Sequence, residues 1–332
     1  MSSNDLIVSY NGPVGTMRLY GCGGGGVNIA KNYVNAKKPR PGIAEIFTSF
    51  IDTSRSNTVD VPNQDDVFVL PDLDGSGKIR AENHEAIAMM VPKILKDHAP
   101  CDLNVVIFTG AGGTGSVAGP LIMAELLRRG QNAVAVVIGS QESAITSDNT
   151  FKTLKSLDHI SRVGEHPVVM YYLNNDRDVK RSDVDKEATF VISSLAVLGS
   201  RQNREMDSKD LSHWINFSKS TSVSSQLAML KVFDSADQVD AEAPECFSMA
   251  SLLVNEDETQ PKTMPQYSSA GYYRPGTDIE NNLFFCIETD SLKPIMAKLG
   301  KISEQVEESK NARVEGPSIV SSKDKVTGML VL

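Results

Sequence analysis

Apolar residues in the first half of the chain come in short runs, separated by amphipathic stretches and glycine-rich corners. Met17 to Gly21 reads as a strand ending in glycines, and Ala44 to Ile51 as a second strand followed by Asp52-Thr53-Ser54. Ala81 to His98 has helical apolar spacing, with Pro92 as a kink. Leu103 to Thr109 is a buried-strand run leading into a glycine cluster and a helix from about Ala118 to Arg129, stopped by Gly130. Ala133 to Ile138 and Pro167 to Leu173 read as two more strands. Strands alternating with helices predict an α/β fold, a Rossmann-like parallel sheet covered on both faces, with ligands at the carboxyl ends of the strands.

Arg181 to Leu198 reads as one long helix, with Ser182 and Asp185 as its start signal. Its later part is apolar all round (Phe190, Val191, Ile192, Leu195, Val197, Leu198), which predicts burial between two layers. The pattern then changes. Leu227 to Phe233, Tyr267 to Tyr273 and Leu283 to Ile287 read as strands of a smaller α+β domain, and Leu292 to Lys310 as a charged amphipathic helix. The stretch from Asn311 is unpatterned and ends in Met329-Leu330-Val331-Leu332.

A chain of 332 residues predicts about two domains. With 40% hydrophobic residues it can bury a large core. A net charge of −9 argues against a general nucleic-acid surface. The apolar runs are too short to cross a bilayer, so no membrane partner is expected. Met1-Ser2-Ser3-Asn4-Asp5 has no basic segment leading into an apolar one, so secretion is not expected. Cys22, Cys101, Cys246 and Cys286 show no metal spacing and read as free thiols of a reducing cytoplasm. The five histidines show none either. Trp214 and Tyr272-Tyr273 read as core or interface.

Two glycine clusters carry the chemistry. Gly21-Cys22-Gly23-Gly24-Gly25-Gly26-Val27-Asn28 follows a strand, and its glycines let backbone N–H groups approach phosphate oxygens. Gly21, Gly23 and Gly26 also satisfy GxGxxG, and with Asp52 on a ribose hydroxyl they allow an NAD-dependent oxidoreductase. The second cluster, Gly110-Ala111-Gly112-Gly113-Thr114-Gly115-Ser116, is one loop more than a dinucleotide domain needs. Two such loops on neighbouring strand ends suggest a cradle for a di- or triphosphate, with the Thr114 and Ser116 hydroxyls as donors. Gly75-Ser76-Gly77-Lys78 does not complete a GxxxxGK[ST] loop.

Ala111 to Ser116 resembles the signature loop of the tubulin and FtsZ superfamily, GGGTGSG, with Ala111 and Val117 departing from it. Gly21 to Asn28 is similar to that superfamily's first phosphate loop, and the departures and short length resemble the bacteriophage tubulins (PhuZ). The resemblance implies a GTP-binding domain over residues 1–180, a central helix over 181–200, an activation domain with the catalytic loop over 201–290, and a C-terminal helix and tail over 291–332. It implies phosphate contacts from Gly23, Gly24, Gly25, Asn28, Ala111, Gly112, Gly113, Thr114, Gly115 and Ser116. Gly75 and Lys78 would sense the γ-phosphate, and Glu142 and Asn149, in the loop after the Ala133–Ile138 strand, would contact ribose. Asp185 would read guanine or cap the first turn of the long helix, and Asn174 or Asn175 would touch the base.

Asp207 and Asp210 stand where the family carries its catalytic acids, which reach the nucleotide of the neighbouring subunit; on sequence alone they read as helix caps. Activity would be GTP hydrolysis to GDP with Mg²⁺, coupled to head-to-tail polymerisation with copies of itself. The filament would serve as a spindle for phage particles or a phage DNA compartment in the cytoplasm of the infected bacterium. A scaffold that binds GTP without hydrolysing it remains the other reading. Related tails are acidic, whereas Arg313, Lys323 and Lys325 outnumber Glu315 and Asp324, which leaves an apolar anchor through Met329 to Leu332 as the alternative.

Overall fold

The computed structural model describes residues 14–34, 40–71, 73–274, 277, 279–311, 326–327 and 330–331. Its first three strands are β1 (Thr16–Cys22), β2 (Glu45–Asp52) and β3 (Val67–Val69), with α1 (Gly23–Ala30) between the first two. Then come α2 (His84–Asp97), β4 (Leu103–Thr109), α3 (Gly115–Arg128), β5 (Ala133–Ser140), α4 (Ala144–Gly164), β6 (Val168–Asn175) and α5 (Arg181–Leu198). The remainder holds α6 (Ser208–Ile215), β7 (Leu227–Phe233), α7 (Ala236–Glu242), β8 (Ser248–Leu253), β9 (Tyr267–Tyr272), β10 (Leu283–Glu288) and α8 (Leu292–Asn311).

Ten strands form one sheet in the order β3-β2-β1-β4-β5-β6-β7-β10-β8-β9. Pairing is parallel from β3 to β7, antiparallel on both sides of β10, and parallel again between β8 and β9. The strands read as unbroken apolar runs because both faces are covered. Met17, Leu19, Val105, Ile107, Val134 and Val136 face one core, together with α5 and Trp214. Tyr20, Val106, Phe108, Ala135 and Val137 face the other, beneath α2 and α3. The order reverses at β1, which pairs with β2 on one side and β4 on the other. Such a switch point opens a crevice at the carboxyl ends of the strands. Both glycine clusters flank it.

The sheet runs on without a break across the change of pattern, since Val168 of β6 pairs with Leu227 of β7. Trp214 is fully buried, donates from Nε1 to the Phe285 carbonyl at 3.1 Å, and packs edge-on to the Phe285 ring. Truncating it to Ala would cost roughly 3–5 kcal/mol. The four cysteines are unpaired. No helix among the described residues is long and apolar enough to cross a membrane.

Several elements differ from the expected ones. The first half of the 21-residue α4 lacks an apolar period, because its buried face there is polar: Thr146, Ser147, Asp148, Asn149, Thr150 and Thr153. α3 begins at Gly115, not Ala118, since the end of the glycine loop is its first turn. α5 has the expected span, but its N-cap is Lys180 without a side-chain bond, so Ser182 is no cap. Phe190, expected inside, is 46% exposed and lines a groove of about 660 Å³ with Tyr33 and Ile279. The final stretch, expected to be unpatterned, includes the short pair β11 (Val326–Thr327) and β12 (Leu330–Val331). The tail residues Arg313, Glu315, Lys323, Asp324, Lys325, Met329 and Leu332 lie outside the described residues.

Candidate functional site

The two glycine loops touch backbone to backbone. A Cβ on Gly23 would lie 2.7 Å from the Gly115 nitrogen, and one on Gly115 would lie 2.7 Å from the Cys22 carbonyl oxygen. Gly23 also has φ +68°, a left-handed backbone that disfavours side chains. α1 and α3 start at these loops with no side-chain cap and no acidic residue in the first turn. Their leading N–H groups and dipoles therefore face the crevice without an internal anion to satisfy them. Such an arrangement favours an anion. Gly24 and Gly25 complete the floor against Asn57 and Thr109, and Asn28 is exposed one turn further along α1.

Neighbouring segments brace the second loop. A Cβ on Gly113 would meet the Ser76 Cβ at 2.4 Å, so the loop carrying Gly75 and Lys78 rests directly on it. Thr114 Oγ1 shares hydrogen bonds with Thr53 Oγ1 and with Ser76 Oγ at 3.0 Å. Ser116 Oγ donates back to the Gly112 and Gly113 carbonyls, at 2.6 and 3.1 Å. Both hydroxyls, expected as donors to phosphate, also hold the loop, Ser116 as a donor and Thr114 in bonds where either hydroxyl can donate. Asn83 Nδ2 ties down Gly75 O at 2.8 Å and Ser76 Oγ at 2.9 Å. Gly75, Gly77 and Lys78 all have positive φ. Lys78 is exposed and its ammonium has no ion pair among the described residues, which leaves it available to a distal phosphate.

Asn149 is not in a loop, as expected, but inside α4, where it is buried. Its amide donates to Lys78 O at 2.9 Å and to Ala111 O at 3.1 Å, clamping two of the phosphate-facing segments together. Arg80 reinforces the clamp by donating to the Asn149 carbonyl at 2.9 Å, and burial pushes its guanidinium down to about 10. Glu142 lies in the loop before α4 and pairs with Arg181 at 2.8 and 2.9 Å. Asp185 is exposed in the second turn of α5, not the first, so it caps nothing; partial desolvation raises its carboxyl above the usual range while Arg181 draws it down. Asn175, at the end of β6, has a buried side-chain oxygen without a partner.

Asp52 is 2% exposed. Its Oδ1 accepts from the Thr53 N–H at 2.7 Å and its Oδ2 from Asn57 at 2.8 Å, so it is not offered to a ribose. That removes the acidic residue on which the dinucleotide reading rested. Thr53, Asn57, Ser76, Arg80 and Asn83 were not singled out in the sequence. Thr53 and Asn57 were signalled only by position after the carboxyl end of the second strand, and Ser76 by lying between Gly75 and Lys78.

Asp207 and Asp210 form the capping box of α6. Asp207 Oδ1 accepts from the Lys209 and Asp210 N–H groups at 2.7 and 3.1 Å, and Asp210 Oδ2 accepts from the Asp207 N–H at 2.9 Å. These donors hold the exposed Asp207 carboxyl below the usual range. The loop before α6 is fixed at the opposite end of the sheet from the glycine loops. Gly15, at the start of β1, donates to the Ser200 carbonyl at 2.8 Å, and Arg201 pairs with Asp102, just before β4, at 2.7 Å. Seven-residue strands separate the two ends by about 23 Å. Among the described residues no group of three or more His, Cys, Asp or Glu side chains is placed to hold a metal.

Residues 206–292 match the family model described as phage tubulin-like protein, C-terminal domain. A phage tubulin-like protein of Pseudomonas phage PhiPA3 is 28% identical over 313 residues, covering 93% of this chain and 96% of the relative. Among solved structures, a protofilament of TubZ from bacteriophage PhiKZ superimposes with a TM-score of 0.84 at 26% identity, covering 95% of this chain and 99% of that one. A structure of the phage tubulin PhuZ with GDP gives a TM-score of 0.83 at 22% identity, covering 96% and 99%.

Proposed function

Because the chain belongs to the tubulin and FtsZ superfamily and is similar over nearly its whole length to phage tubulin-like proteins, we propose that it is a GTPase that polymerises head to tail. The observation that carries this reading is the separation of the two half-sites. The phosphate cradle lies at the carboxyl ends of β1 and β4, and Asp207 and Asp210 follow a loop fixed at the amino ends of the same strands. One chain cannot bring the acids to its own cradle. A second copy stacked along the strand direction brings one half-site to the other, and a contact of this unlike-face kind repeats into an open filament.

In this account the N–H groups of the glycine loops bind the phosphates, and Asn149 and Arg80 keep the loops in register. Lys78 faces the terminal phosphate. Asp185 accepts from the guanine N1–H and exocyclic amine, and Asn174 or Asn175 touches the base. Glu142 reaches the ribose once released from Arg181. Asp210 of the next subunit, supported by Asp207, orients the attacking water in line with the terminal phosphorus. No carboxylate cluster among the described residues would hold a metal by itself, which suits an Mg²⁺ that would come with the substrate phosphates and would offset charge on the leaving group. The phage origin of the relatives supports a cytoskeletal role in the infected host's cytoplasm, positioning phage particles or a phage DNA compartment.

A competition assay tests the ligand class. A fluorescent GDP bound to the protein should be displaced by GTP at micromolar concentration and left in place by NAD. Displacement by NAD with no effect of GTP would overturn the reading.

A further inference from the structure

Asp210 is held on both carboxylate oxygens. Oδ2 serves the capping box, which needs only that one oxygen. Oδ1 accepts a second bond, from the Tyr267 hydroxyl at 3.2 Å, and the same hydroxyl lies 3.2 Å from the Asp210 carbonyl oxygen. Tyr267 belongs to a different element. It is the first residue of β9, the edge strand, and its own N–H donates to the Phe247 carbonyl at 3.1 Å. The sheet, not α6, therefore sets where the phenol stands. The ring also meets His213, one turn on in α6, edge-on at 6.0 Å. The far end of β9 grips the preceding loop, where Arg204 and Tyr272 exchange backbone bonds of 2.8 and 3.0 Å.

Resting on the reading of Asp210 as the acid that orients water in the neighbouring cradle, we propose that Tyr267 is the positioning residue of that acid. Its hydroxyl fixes the Asp210 carboxylate in one orientation and leaves a lone pair of Oδ1 for the water. A carboxylate oxygen has two acceptor directions, so Tyr267 and a water share Oδ1 without competing. Burial and the neighbouring Asp210 charge push the phenol up to about 12, so it stays a protonated donor at neutral pH. A carboxylate held only by its cap would swing about its side-chain torsion, and loss of alignment is expensive in a transfer that depends on positioning.

The test is a double-mutant cycle on full-length protein, comparing Tyr267→Phe, Asp210→Asn and the double variant. Filaments are first pelleted with a slowly hydrolysed GTP analogue, and thermal midpoints are compared. Tyr267→Phe should pellet and melt as the parent does, which shows that fold and contact survive. Its kcat should fall by about tenfold with KM unchanged. The double variant should be no slower than Asp210→Asn alone, because the hydroxyl acts only through that carboxylate. A parental kcat in Tyr267→Phe would overturn the proposal. So would losses that multiply in the double variant, since the hydroxyl would then act elsewhere. Asp210→Asn hydrolysing at the parental rate would instead remove the underlying assignment, and the proposal with it.

Discussion

Replacing Asp210 by Asn is expected to slow GTP hydrolysis in assembled filaments by about a hundredfold or more, while filaments still form and persist longer than the parent's. The substitution is mild structurally. An Asn oxygen can still accept the Asp207 N–H that closes the capping box, and the Tyr267 hydroxyl keeps the backbone carbonyl of residue 210 as its acceptor. What is lost is the negative charge that draws a proton from the attacking water. Asp207→Asn should cost less, because Asn caps a helix as well as Asp does and Asp207 only supports its neighbour. Phosphate release per subunit, measured on pelleted filaments, checks both. An Asp210→Asn filament with the parental rate would show that Asp210 does no more than close the capping box and that the acid acting on the water lies elsewhere.

The second large effect is at Gly23. Gly23→Ala should weaken GDP binding by at least about a hundredfold, because two costs coincide. A non-glycine residue at φ +68° costs roughly 1–2 kcal/mol. The new Cβ would also stand 2.7 Å from the backbone nitrogen of Gly115, which no side-chain rotation can relieve, so the two loops must part. Gly130→Ala is the control. It has nearly the same backbone, φ +69°, but open space around the added atom and a position past α3, on the far side of that helix from the cradle. It should lower thermal stability slightly and leave affinity unchanged. Fluorescent-GDP titration of the three proteins distinguishes loop contact from backbone strain; equal affinity in Gly23→Ala and the parent would mean that the cradle is not built by that approach.

The parts of this molecule that were legible in its sequence are those where burial dictates residue type. β1, β4, β5 and β6 are covered on both faces, so their apolar runs could hardly be read otherwise, and α5 was readable at both ends. The glycine loops were legible because at Gly23, Gly26 and Gly115 the close backbone approach leaves no room for a Cβ. α4 was not, since its buried positions near the site are Ser, Thr, Asn and Asp, which carry no hydrophobic period. That one omission misplaced Asn149, whose role as a clamp depends on being rigidly mounted in a helix. Thr114 and Ser116 were recognised, but not the protein groups they also bond, because a sequence shows that a hydroxyl is present and not which neighbour it turns toward. The engagement of Tyr267 with Asp210 spans 57 residues and no local pattern announces it.

In the proposed filament, the cradle of one chain and the acids of the next make a single active site. This is tested most directly by measuring GTP turnover per mole of protein as the protein is diluted. Almost no turnover is expected below the concentration at which filaments sediment, and a steep rise above it. A turnover number that stays constant down to isolated monomers would contradict it.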